Sequence, residues 1–242
     1  MRWLRALSRK AQSDTDTVLR RVNLKGIPLK IYDYRSSTAS EVIKNELEAD
    51  CYGIEQISFL EGDVVVDIGG HVGMFSIYLA RRFPYVKIYA FEPIPQNYQH
   101  FVKNIEANRV TNVDVIDKAV TCDGRPLEML AHRSNTGGAT AQLRDMQLAD
   151  HVRYRVDSVT LDGIFETRSI VKCRLLKIDC EGSEYEILLN AKCLNRVEYL
   201  SGEFHINQHL ADRGYSIEGL HDYCRHYVPA DHIHYTACHM TE

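Results

Sequence analysis

Hydrophobic residues in the middle of the chain form short β-branched runs, separated by stretches in which apolar positions recur at helical spacing. The runs predict strands and the spaced stretches predict helices. In chain order they are a strand over 63–68, a helix over 72–82, a strand over 86–90, a helix over 95–108 and a strand over 113–117. This alternation predicts an α/β fold with a doubly wound, mostly parallel sheet.

The second half of the chain continues the alternation less regularly. Its predicted elements are strands over 127–130 and 152–159 around a loop over 134–140, a fourth parallel strand over 175–179, a helix over 183–190, a fifth strand over 197–204, a helix over 216–226 and a last strand near Ile233. Right-handed crossovers bring the carboxyl ends of parallel strands to one edge of the sheet. Ligands bind at that edge in folds of this kind.

Residues 1–60 differ in pattern from the rest of the chain, and we predict an N-terminal extension of a domain that covers 61–242. The extension holds a strand candidate over 29–34 and a helix candidate over 40–49. Its first ten residues are basic with a few apolar positions, which predicts a short amphipathic helix packed on the domain. A helix that docks on a membrane surface or a partner is the alternative. The extension packs on its own domain or on a second subunit of a homo-oligomer, and the sequence leaves that choice open.

Composition and charge narrow the classes of function. The chain has 242 residues, 45% hydrophobic and 26% charged, as in ordinary globular proteins. A net charge of −4 without a basic run argues against a nucleic-acid partner. No apolar run reaches membrane-spanning length, so we expect no integral membrane segment. Seven cysteines, an odd number with no Cys-x-x-Cys pair, favour a reducing compartment, and we expect a cytoplasmic protein.

The turn after the first parallel strand carries the strongest chemical signal. It reads Asp67-Ile68-Gly69-Gly70-His71-Val72-Gly73, with glycines where a backbone approaches a ligand and a helix starts close to a strand. A dinucleotide site would require G-x-G-x-x-G, but counting from Gly69 the third and sixth residues are His71 and Met74. The pattern is instead Asp-x-Gly-x-x-x-Gly. We expect Asp67 to reach the amino group, or a bound water, near the methionine part of a cofactor.

Glu92 supplies the second half of the signal, because it ends the second parallel strand. A carboxylate there can accept both ribose hydroxyls of an adenosine. No pyrophosphate-binding pattern is present, so the predicted cofactor is S-adenosylmethionine. Asp117 ends the third strand and is placed to bind the adenine amino group. The predicted cofactor contacts are Asp67, Gly69, Gly70, His71, Gly73, Glu92, Pro93, Asp117 and Asp179.

Three blocks of the chain resemble the FkbM-type methyltransferases, over about residues 50–205. They are Val65-Val66-Asp67-Ile68-Gly69-Gly70-His71-Val72-Gly73, Phe91-Glu92-Pro93 and Leu176-Lys177-Ile178-Asp179-Cys180-Glu181-Gly182-Ser183-Glu184, the last being the most distinctive. The resemblance implies a Rossmann-like fold, S-adenosylmethionine as donor, and usually O-methylation of a hydroxyl on a natural product or sugar. It also implies that Asp67, Gly69 and Glu92 lie at the cofactor and that Asp179 and Glu181 face the reaction site. The family usually has Ala-Asn where this chain has Gly70-His71, so the contacts of that asparagine do not carry over.

Methyl transfer to a hydroxyl benefits from an acceptor oxygen held in line with the methyl group and from a general base near the hydroxyl proton. The predicted catalytic residues are His205, Asp179 and Glu181, which compete for the role of base. His205 lies at the end of the fifth strand, on the edge that carries the other motifs. Asp179 is also placed to orient the cofactor's amino group, and Glu181 to cap the helix that follows it.

The acceptor side is predicted from position alone. Glu203 is placed to bind substrate hydroxyls, Asn135 lies in a loop that can cover the acceptor, and Tyr52 with Glu55 can form the opposite wall. The C-terminal segment contains several residues that bind metals in other proteins: Cys224, His226, His232, His234, Cys238 and His239. Their spacing matches no zinc pattern, so we expect no metal ion.

The sequence therefore predicts an enzyme that uses S-adenosylmethionine to methylate a hydroxyl on a natural product, a sugar or another small or carrier-bound molecule. N-methylation on the same fold stays open, since it would need no strong base. A nicotinamide-dependent oxidoreductase is disfavoured by the failed dinucleotide pattern. A non-catalytic interaction module is disfavoured by the acids at 67, 92 and 179, because a degenerate pocket has no need of them.

Overall fold

A hairpin and a helix begin the part of the chain that the computed structural model describes, namely residues 16–133, 138 and 150–240. Strand β1 (Thr17–Leu24) pairs antiparallel with β2 (Ile27–Tyr34), and helix α1 (Ala39–Glu48) follows. Lys25 and Gly26 form the two-residue turn with positive φ angles of 47° and 85°, as tight hairpin turns require. The predictions of β2 and α1 are confirmed. The sequence missed β1, whose apolar alternation is interrupted by two adjacent arginines.

Alternating strands and helices follow. They are β3 (Val64–Ile68), α2 (Met74–Arg82), β4 (Lys87–Phe91), α3 (Pro95–Asn108), β5 (Val113–Ile116), β6 (Ala119–Thr121), β7 (Leu127–His132), β8 (His151–Val156), β9 (Ser158–Thr160), α4 (Leu161–Thr167), β10 (Cys173–Ile178), α5 (Glu184–Leu188), β11 (Val197–Ile206), α6 (Gln208–Asp212), α7 (Ile217–Cys224) and β12 (Ile233–His239). The sequence predicted most of them, but not the strand over 119–121 or the helices over 161–167 and 208–212. The strand predicted over 152–159 is two strands, β8 and β9, because the chain changes partner there from β7 to β6.

The central sheet has six strands in the order β12-β11-β10-β3-β4-β5, and every neighbouring pair is parallel. The predicted α/β, doubly wound fold is therefore confirmed. The chain runs outward from β3 through β4 and β5, then returns to the other side of β3 with β10. The carboxyl ends of β3 and β10 thus lie where the strand order reverses, which is where such sheets bind ligands.

The sheet separates two hydrophobic cores. Val66 and Ile68 of β3 face the core that contains α4, α5 and α7, while Val65 faces the core that contains α2 and α3. This alternation is the two-residue period of a strand buried on both faces. The N-terminal hairpin contributes Leu29 and Ile31 to the second core, so it packs against the same helices as the sheet.

Two asparagines of α3 attach the hairpin to the cofactor turn. The side chain of Asn104 accepts a hydrogen bond from the Tyr32 N–H at 2.6 Å and donates to the carbonyls of Tyr32 at 3.0 Å and Val72 at 2.8 Å. Asn108 makes the same pair of bonds with the backbone of Lys30, at 2.9 and 2.7 Å. These amides satisfy backbone groups of β2 that would otherwise be buried without partners.

Within the described residues, no helix is both long and apolar enough to cross a lipid bilayer. The first ten residues, for which we predict an amphipathic helix, lie outside the described part of the chain. The division of the chain at residue 60 stays a prediction.

Candidate active site

The glycines of the turn after β3 allow two different neighbours to approach closely, namely the end of β10 and helix α3. A Cβ on Gly69, where φ is 79°, would lie 1.8 Å from the carbonyl oxygen of Asp179, so this glycine lets the ends of β3 and β10 approach each other. A Cβ on Gly70 or Gly73 would meet the ring of Phe101 at 2.7 or 2.1 Å. Those two glycines therefore make room for α3, and the structure places neither of them on the wall of the cavity at this edge of the sheet.

Asp67 lies beneath the turn, with no exposed surface. Its carboxylate accepts a hydrogen bond from the Ser76 hydroxyl at 2.6 Å and lies 3.3 Å from Nζ of Lys177. Lys177 also donates to the Gly69 carbonyl at 2.8 Å and lies 3.5 Å from Asp179. Burial opposes its charge, but Asp67 and Asp179 hold the pKa of Lys177 above its ordinary value. The sequence placed Asp67 at the cofactor, whereas here it holds the lysine that supports the turn.

A cavity of about 280 Å³ opens at the carboxyl ends of the central strands. Seven of the residues predicted for the cofactor, the reaction or the substrate line it: Gly69, His71, Glu92, Pro93, Asp179, Glu181 and Glu203. Gly138 also contributes to its wall, whereas the predicted substrate residue Asn135 lies outside the described residues.

Glu92 is the buried acid of the cavity wall, 4% exposed. Its carboxylate accepts hydrogen bonds from the N–H groups of His71 and Ile94, both at 2.8 Å, and from the side chain of Asn97 at 3.2 Å. Burial raises the pKa of Glu92 to about 7, and these three donors oppose the rise. Glu92 thus joins the turn after β3 to the end of β4, while a carboxylate keeps lone pairs for further donors.

His71 occupies a left-handed backbone position, with φ of 49°. Its side chain is 7% exposed, and burial lowers its pKa to about 4. The imidazole is therefore neutral at pH 7. His71 lines the cavity, and its backbone N–H binds Glu92.

Four carboxylates surround or adjoin the buried imidazole of His205: Asp179, Glu181, Glu184 and Glu203, which we call the acid cluster. Nδ1 of His205 lies 3.0 Å from Glu184, and Nε2 lies 3.3 Å from Glu203 and 3.6 Å from Glu181. Burial opposes a charge on the ring, but hydrogen bonds with Cys238, Glu184 and Glu203 outweigh it and raise the pKa of His205 well above its ordinary value. A cationic imidazole cannot accept a proton, and His205 does not line the cavity. The structure therefore does not support the predicted role of His205 as general base.

Burial and neighbouring charges give the acids of the cluster different pKa values. Burial raises the pKa of Glu181 to about 7 despite the nearby His205. Burial also raises the pKa of Asp179, against the charge of Lys177. The hydrogen bond from His205 has the opposite effect and lowers the pKa of Glu203 to about 2. The cluster therefore combines the ionised carboxylate of Glu203 with Glu181, which can carry a proton near neutral pH.

Glu184 holds the loop between β10 and α5. Its side chain is fully buried and accepts hydrogen bonds from the N–H groups of Cys180 at 2.8 Å and Gly182 at 2.9 Å. Glu181 lies between these two residues and has a left-handed backbone, with φ of 53°. Glu184 thus shapes the loop that presents Glu181 and orients His205. The sequence included Glu184 in the distinctive block but assigned it no role.

Helix α1 supplies a wall that the sequence did not predict. Thr38, its N-terminal neighbour, and four residues of the helix line the cavity: Ala39, Val42, Ile43 and Glu46. Burial raises the pKa of Glu46 to about 7, against a hydrogen bond that the Tyr52 hydroxyl donates to it at 2.7 Å. Tyr52, predicted as a substrate contact, is itself buried and reaches the cavity only through Glu46. No motif marks Glu46, whose place depends on how α1 packs.

Two predicted contacts lie elsewhere. Glu55 is exposed and forms ion pairs with Arg82 at 2.5 Å and Lys25 at 3.0 Å, away from the cavity. Asp117 is also exposed, and its neighbour Lys118 lines the cavity instead. Asp117 was predicted from its place at a strand end, but alternation along the chain turns adjacent side chains apart. Glu55 was predicted only from its place before β3, and it lies in a short 3₁₀ helix over Ile54–Gln56.

The C-terminal histidines and cysteines do not gather into one site in the described residues. His226 faces the carbonyl of Asp222, and His232 faces the carbonyl of Glu198 while stacking on Tyr199. Cys224 is buried in a hydrophobic core. Cys238 alone of this group lies at the acid cluster, with its Sγ 3.0 Å from Glu203.

The residues that line the cavity suit the chemical groups of S-adenosylmethionine. Apolar side chains of Ile94, Val120, Leu127 and Met129 line one part, where a flat adenine can bind. Glu92 stands beside Gly69 and His71, where ribose hydroxyls can donate to its carboxylate. The other part carries Asp179 and Glu46, whose negative charge favours an ammonium and a sulfonium.

Comparison with known proteins identifies the family of the chain. The family described as methyltransferase FkbM domain matches residues 67–217. Methyltransferase 1 of Beauveria bassiana (strain ARSEF 2860) is 28% identical over 166 residues, which cover 61% of this chain and 66% of that protein. The 31-O-demethyl-FK506 methyltransferase FkbM of Streptomyces tacrolimicus is 29% identical over 182 residues, or 64% and 70% of the two chains. This chain thus matches about two thirds of the length of these relatives.

Among solved structures, a precorrin-6y C5,15-methyltransferase of Geobacter metallireducens GS-15 matches 64% of this chain and 57% of its own, at 14% identity and a TM-score of 0.38. That likeness is too low to support a conclusion. The family match is different, because it covers more than half of the chain and includes the turn, Glu92 and the acid cluster. The chain therefore belongs to the FkbM methyltransferase domain family, the cofactor of which is S-adenosylmethionine.

Proposed function

We propose that this chain transfers the methyl group of S-adenosylmethionine to a hydroxyl oxygen of a small or carrier-bound molecule, such as a natural product or a sugar. The observation that carries the proposal is the set of carboxylates at one end of the cavity, Glu46, Asp179, Glu181 and Glu203. Carboxylates accept hydrogen bonds from hydroxyl groups, and one of them can take the proton that the hydroxyl loses.

In this proposal the donor, S-adenosylmethionine, binds at the other end of the cavity. Glu92 accepts the ribose hydroxyls, and the apolar residues beyond it contact the adenine. The methionine part then extends past Gly69 towards Asp179, which brings the sulfonium to the acid end. This orientation follows from the charges, since the two cationic groups of the donor lie in its methionine half.

The reaction is an in-line displacement at the methyl carbon. A bond forms between the acceptor oxygen and the methyl carbon, the carbon–sulfur bond breaks, and its electron pair stays on sulfur as S-adenosylhomocysteine is formed. The hydroxyl proton passes to a carboxylate. We assign that role to Glu181, which lines the cavity, rather than to His205, which lies behind it. Lys177, Glu184 and His205 act as positioning residues for Asp179 and Glu181.

Transfer to nitrogen is the second candidate, because the same carboxylates would attract an amine. One comparison favours oxygen: the Streptomyces tacrolimicus relative is named a 31-O-demethyl-FK506 methyltransferase. An amine acceptor that reacts from its neutral form would depend less on a base than a hydroxyl does. The two candidates therefore differ in how strongly Glu181 matters.

The experiment is to incubate the chain with labelled donor and a panel of hydroxyl and amine compounds, and to measure S-adenosylhomocysteine formation. With a hydroxyl acceptor, Glu181→Gln should lower kcat by about 10²–10⁴-fold and leave the dissociation constant of the donor unchanged. Glu186→Gln, on the same helix region but paired with exposed Arg213, is the matched control and should keep full activity. Turnover of amines alone, insensitive to Glu181→Gln, would replace this proposal with N-methylation.

A further inference from the structure

We propose that Glu203, His205 and Cys238 bind a divalent transition-metal ion of the zinc type beside the cavity. Each of the three offers one ligand atom, and these atoms lie within 4.8 Å of one another. The set joins a thiolate, an imidazole and a carboxylate, and zinc binds all three. Magnesium and calcium favour oxygen ligands alone, so the thiolate and the imidazole select against them. The site stands on this geometry and does not depend on which acceptor is methylated.

The register of the sheet brings the three residues together. β11 and β12 run parallel, with His205 opposite Cys238. Glu203 precedes His205 by two positions on β11, so the two side chains project from the same face of the strand. The ligand atoms are therefore held by backbone pairing between neighbouring strands, which makes the site more rigid than one built on loops.

Nδ1 of His205 already has the kind of hydrogen-bond partner that metal-binding histidines usually have. Nδ1 lies 3.0 Å from Glu184, whose side chain is fully buried. Histidines that bind metals through Nε2 usually donate from Nδ1 to a carboxylate or carbonyl, which sets the tautomer and the direction of the ring. With Nδ1 held in this way, Nε2 faces Glu203 at 3.3 Å and Cys238 beyond it.

The surrounding charge favours a cation at this point. Glu181, Glu184 and Glu203 lie around one imidazole, and all three are largely buried. A divalent ion bound by the Cys238 thiolate, the Glu203 carboxylate and Nε2 of His205 would compensate this charge.

The metal would have an open position towards the substrate. Three protein ligands leave a tetrahedral ion one place for water or an acceptor oxygen, as in catalytic zinc sites. Glu203 also lines the cavity, so the open place is adjacent to it. If the proposed function holds, on which this one step rests, a metal-bound hydroxyl would lose its proton to Glu181 more readily.

A metal ion at this point replaces the expectation from the sequence that none is bound. That expectation grouped Cys238 with the histidines near it in the chain, and the spacing matched no zinc site. The partners of Cys238 come instead from β11, about 35 residues earlier, and only the parallel pairing of the strands reveals them.

Cobalt titration tests the site directly. The purified full chain is freed of metal and titrated with Co²⁺, in the absence of donor and acceptor, while near-ultraviolet and visible absorption are recorded. We expect one equivalent of Co²⁺ to bind with a thiolate-to-cobalt charge-transfer band. Zn²⁺ should displace it. Cys238→Ser should abolish the band and weaken binding at least about 100-fold, since the loss of even an outer-shell partner costs about 10–100-fold.

Cys122→Ser is the matched control, because Cys122 is another partly exposed free cysteine and lies away from the acid cluster. It should keep both the band and the affinity. Failure to bind Co²⁺ at micromolar concentration would show that His205 holds a proton only, and would overturn the site. A band that survives Cys238→Ser would overturn it as well. Because the titration contains no substrate, its failure is distinct from a failure of methyl transfer.

Discussion

The two ends of the cavity are built in opposite ways. At the cofactor end the carboxylate of Glu92 is held by backbone N–H groups of His71 and Ile94, and glycine gives the backbone its shape. At the acid cluster, side-chain charges face one another, and His205 and Lys177 hold the acids in place. The cofactor end therefore depends on backbone conformation, and the acid cluster depends on interactions between charged side chains of several strands.

This difference separates the end of the cavity that can be common to a whole family from the end that can be specific to one acceptor. A backbone-built end can bind the same donor in any member of a family, because it depends little on neighbouring side chains. A charge-built end changes with each substitution on β10, β11, β12 or α1, and it can therefore be adapted to an acceptor. We therefore expect changes at the two ends to differ in kind, with loss of donor binding at one and loss of turnover or of charge compensation at the other.

The largest effect is expected where the two ends meet, at Gly69. In Gly69→Ala the new Cβ would lie 1.8 Å from the Asp179 carbonyl, so β3 and β10 must separate. We expect the variant to lose more than about 4 kcal/mol of unfolding free energy, or not to fold. Urea denaturation followed by circular dichroism measures this.

Gly62→Ala is the matched control for that variant. Gly62 has a similar φ of 84° but nothing within 4 Å of its Cβ position. It should lose only the cost of a left-handed alanine, about 1–2 kcal/mol. Equal losses in the two variants would mean that backbone strain, and not the contact with Asp179, requires glycine at 69.

The same division separates the features that could be predicted from the sequence from those that could not. The strands, the turn and Glu92 were predictable because hydrophobic period and turn chemistry are local. The burial of Asp67 was not, since it depends on Lys177 from β10 reaching under the turn. Nor was Glu46, which lines the cavity only through the packing of α1, a helix outside the matched family segment.

The acid cluster shows most clearly what could not be predicted from the sequence. Asp179 and Glu203 were predicted as site residues from their places at strand ends, and Asp179 and Glu181 also from the family resemblance. Their effect on His205 was not predicted, because it depends on distances between side chains of different strands. His205 was one of three candidates for the base, and three carboxylates within 3.6 Å favour its cationic form instead.

Glu184→Gln tests the charge-built end, with the next largest effect. The amide can accept only one of the two backbone N–H groups well, and it removes the fully buried one of the three carboxylates around His205. Breaking such a buried pair costs about 3–5 kcal/mol, so we expect a loss of unfolding free energy near 3 kcal/mol. Glu186→Gln, two residues away and partly exposed, should cost less than about 1 kcal/mol. Similar losses would show that the charge of Glu184 is not needed.

Glu92→Ala tests the cofactor end. Removing the carboxylate leaves ribose hydroxyls without their acceptor, which should weaken donor binding by about 1–3 kcal/mol. Isothermal titration calorimetry with S-adenosylmethionine measures the change, and thermal unfolding checks that the variant is folded. Unchanged affinity in a folded variant would remove Glu92 from the donor site.

The pH dependence of donor binding is a smaller effect at the same residue. Burial raises the pKa of Glu92 to about 7 in the folded chain, so the carboxyl is largely protonated below that pH. Ribose hydroxyls donate better to the ionised form, and binding should therefore release a proton and strengthen as pH rises. We expect affinity to fall by up to about tenfold per pH unit below pH 7. Glu92→Gln should have a flatter profile, and an identical slope would assign the proton to another group.

The smallest effect is expected at Glu55, which the sequence placed in the substrate wall and the structure places on the surface. Its ion pairs with Arg82 and Lys25 hold the pKa of Glu55 at about 2, but its side chain is 41% exposed and solvent weakens both pairs. Glu55→Gln should cost less than about 1 kcal/mol in unfolding free energy. It should leave kcat/KM and donor affinity unchanged. A fall in kcat/KM with stability intact would return Glu55 to the acceptor side, and would show that the acid end extends beyond α1.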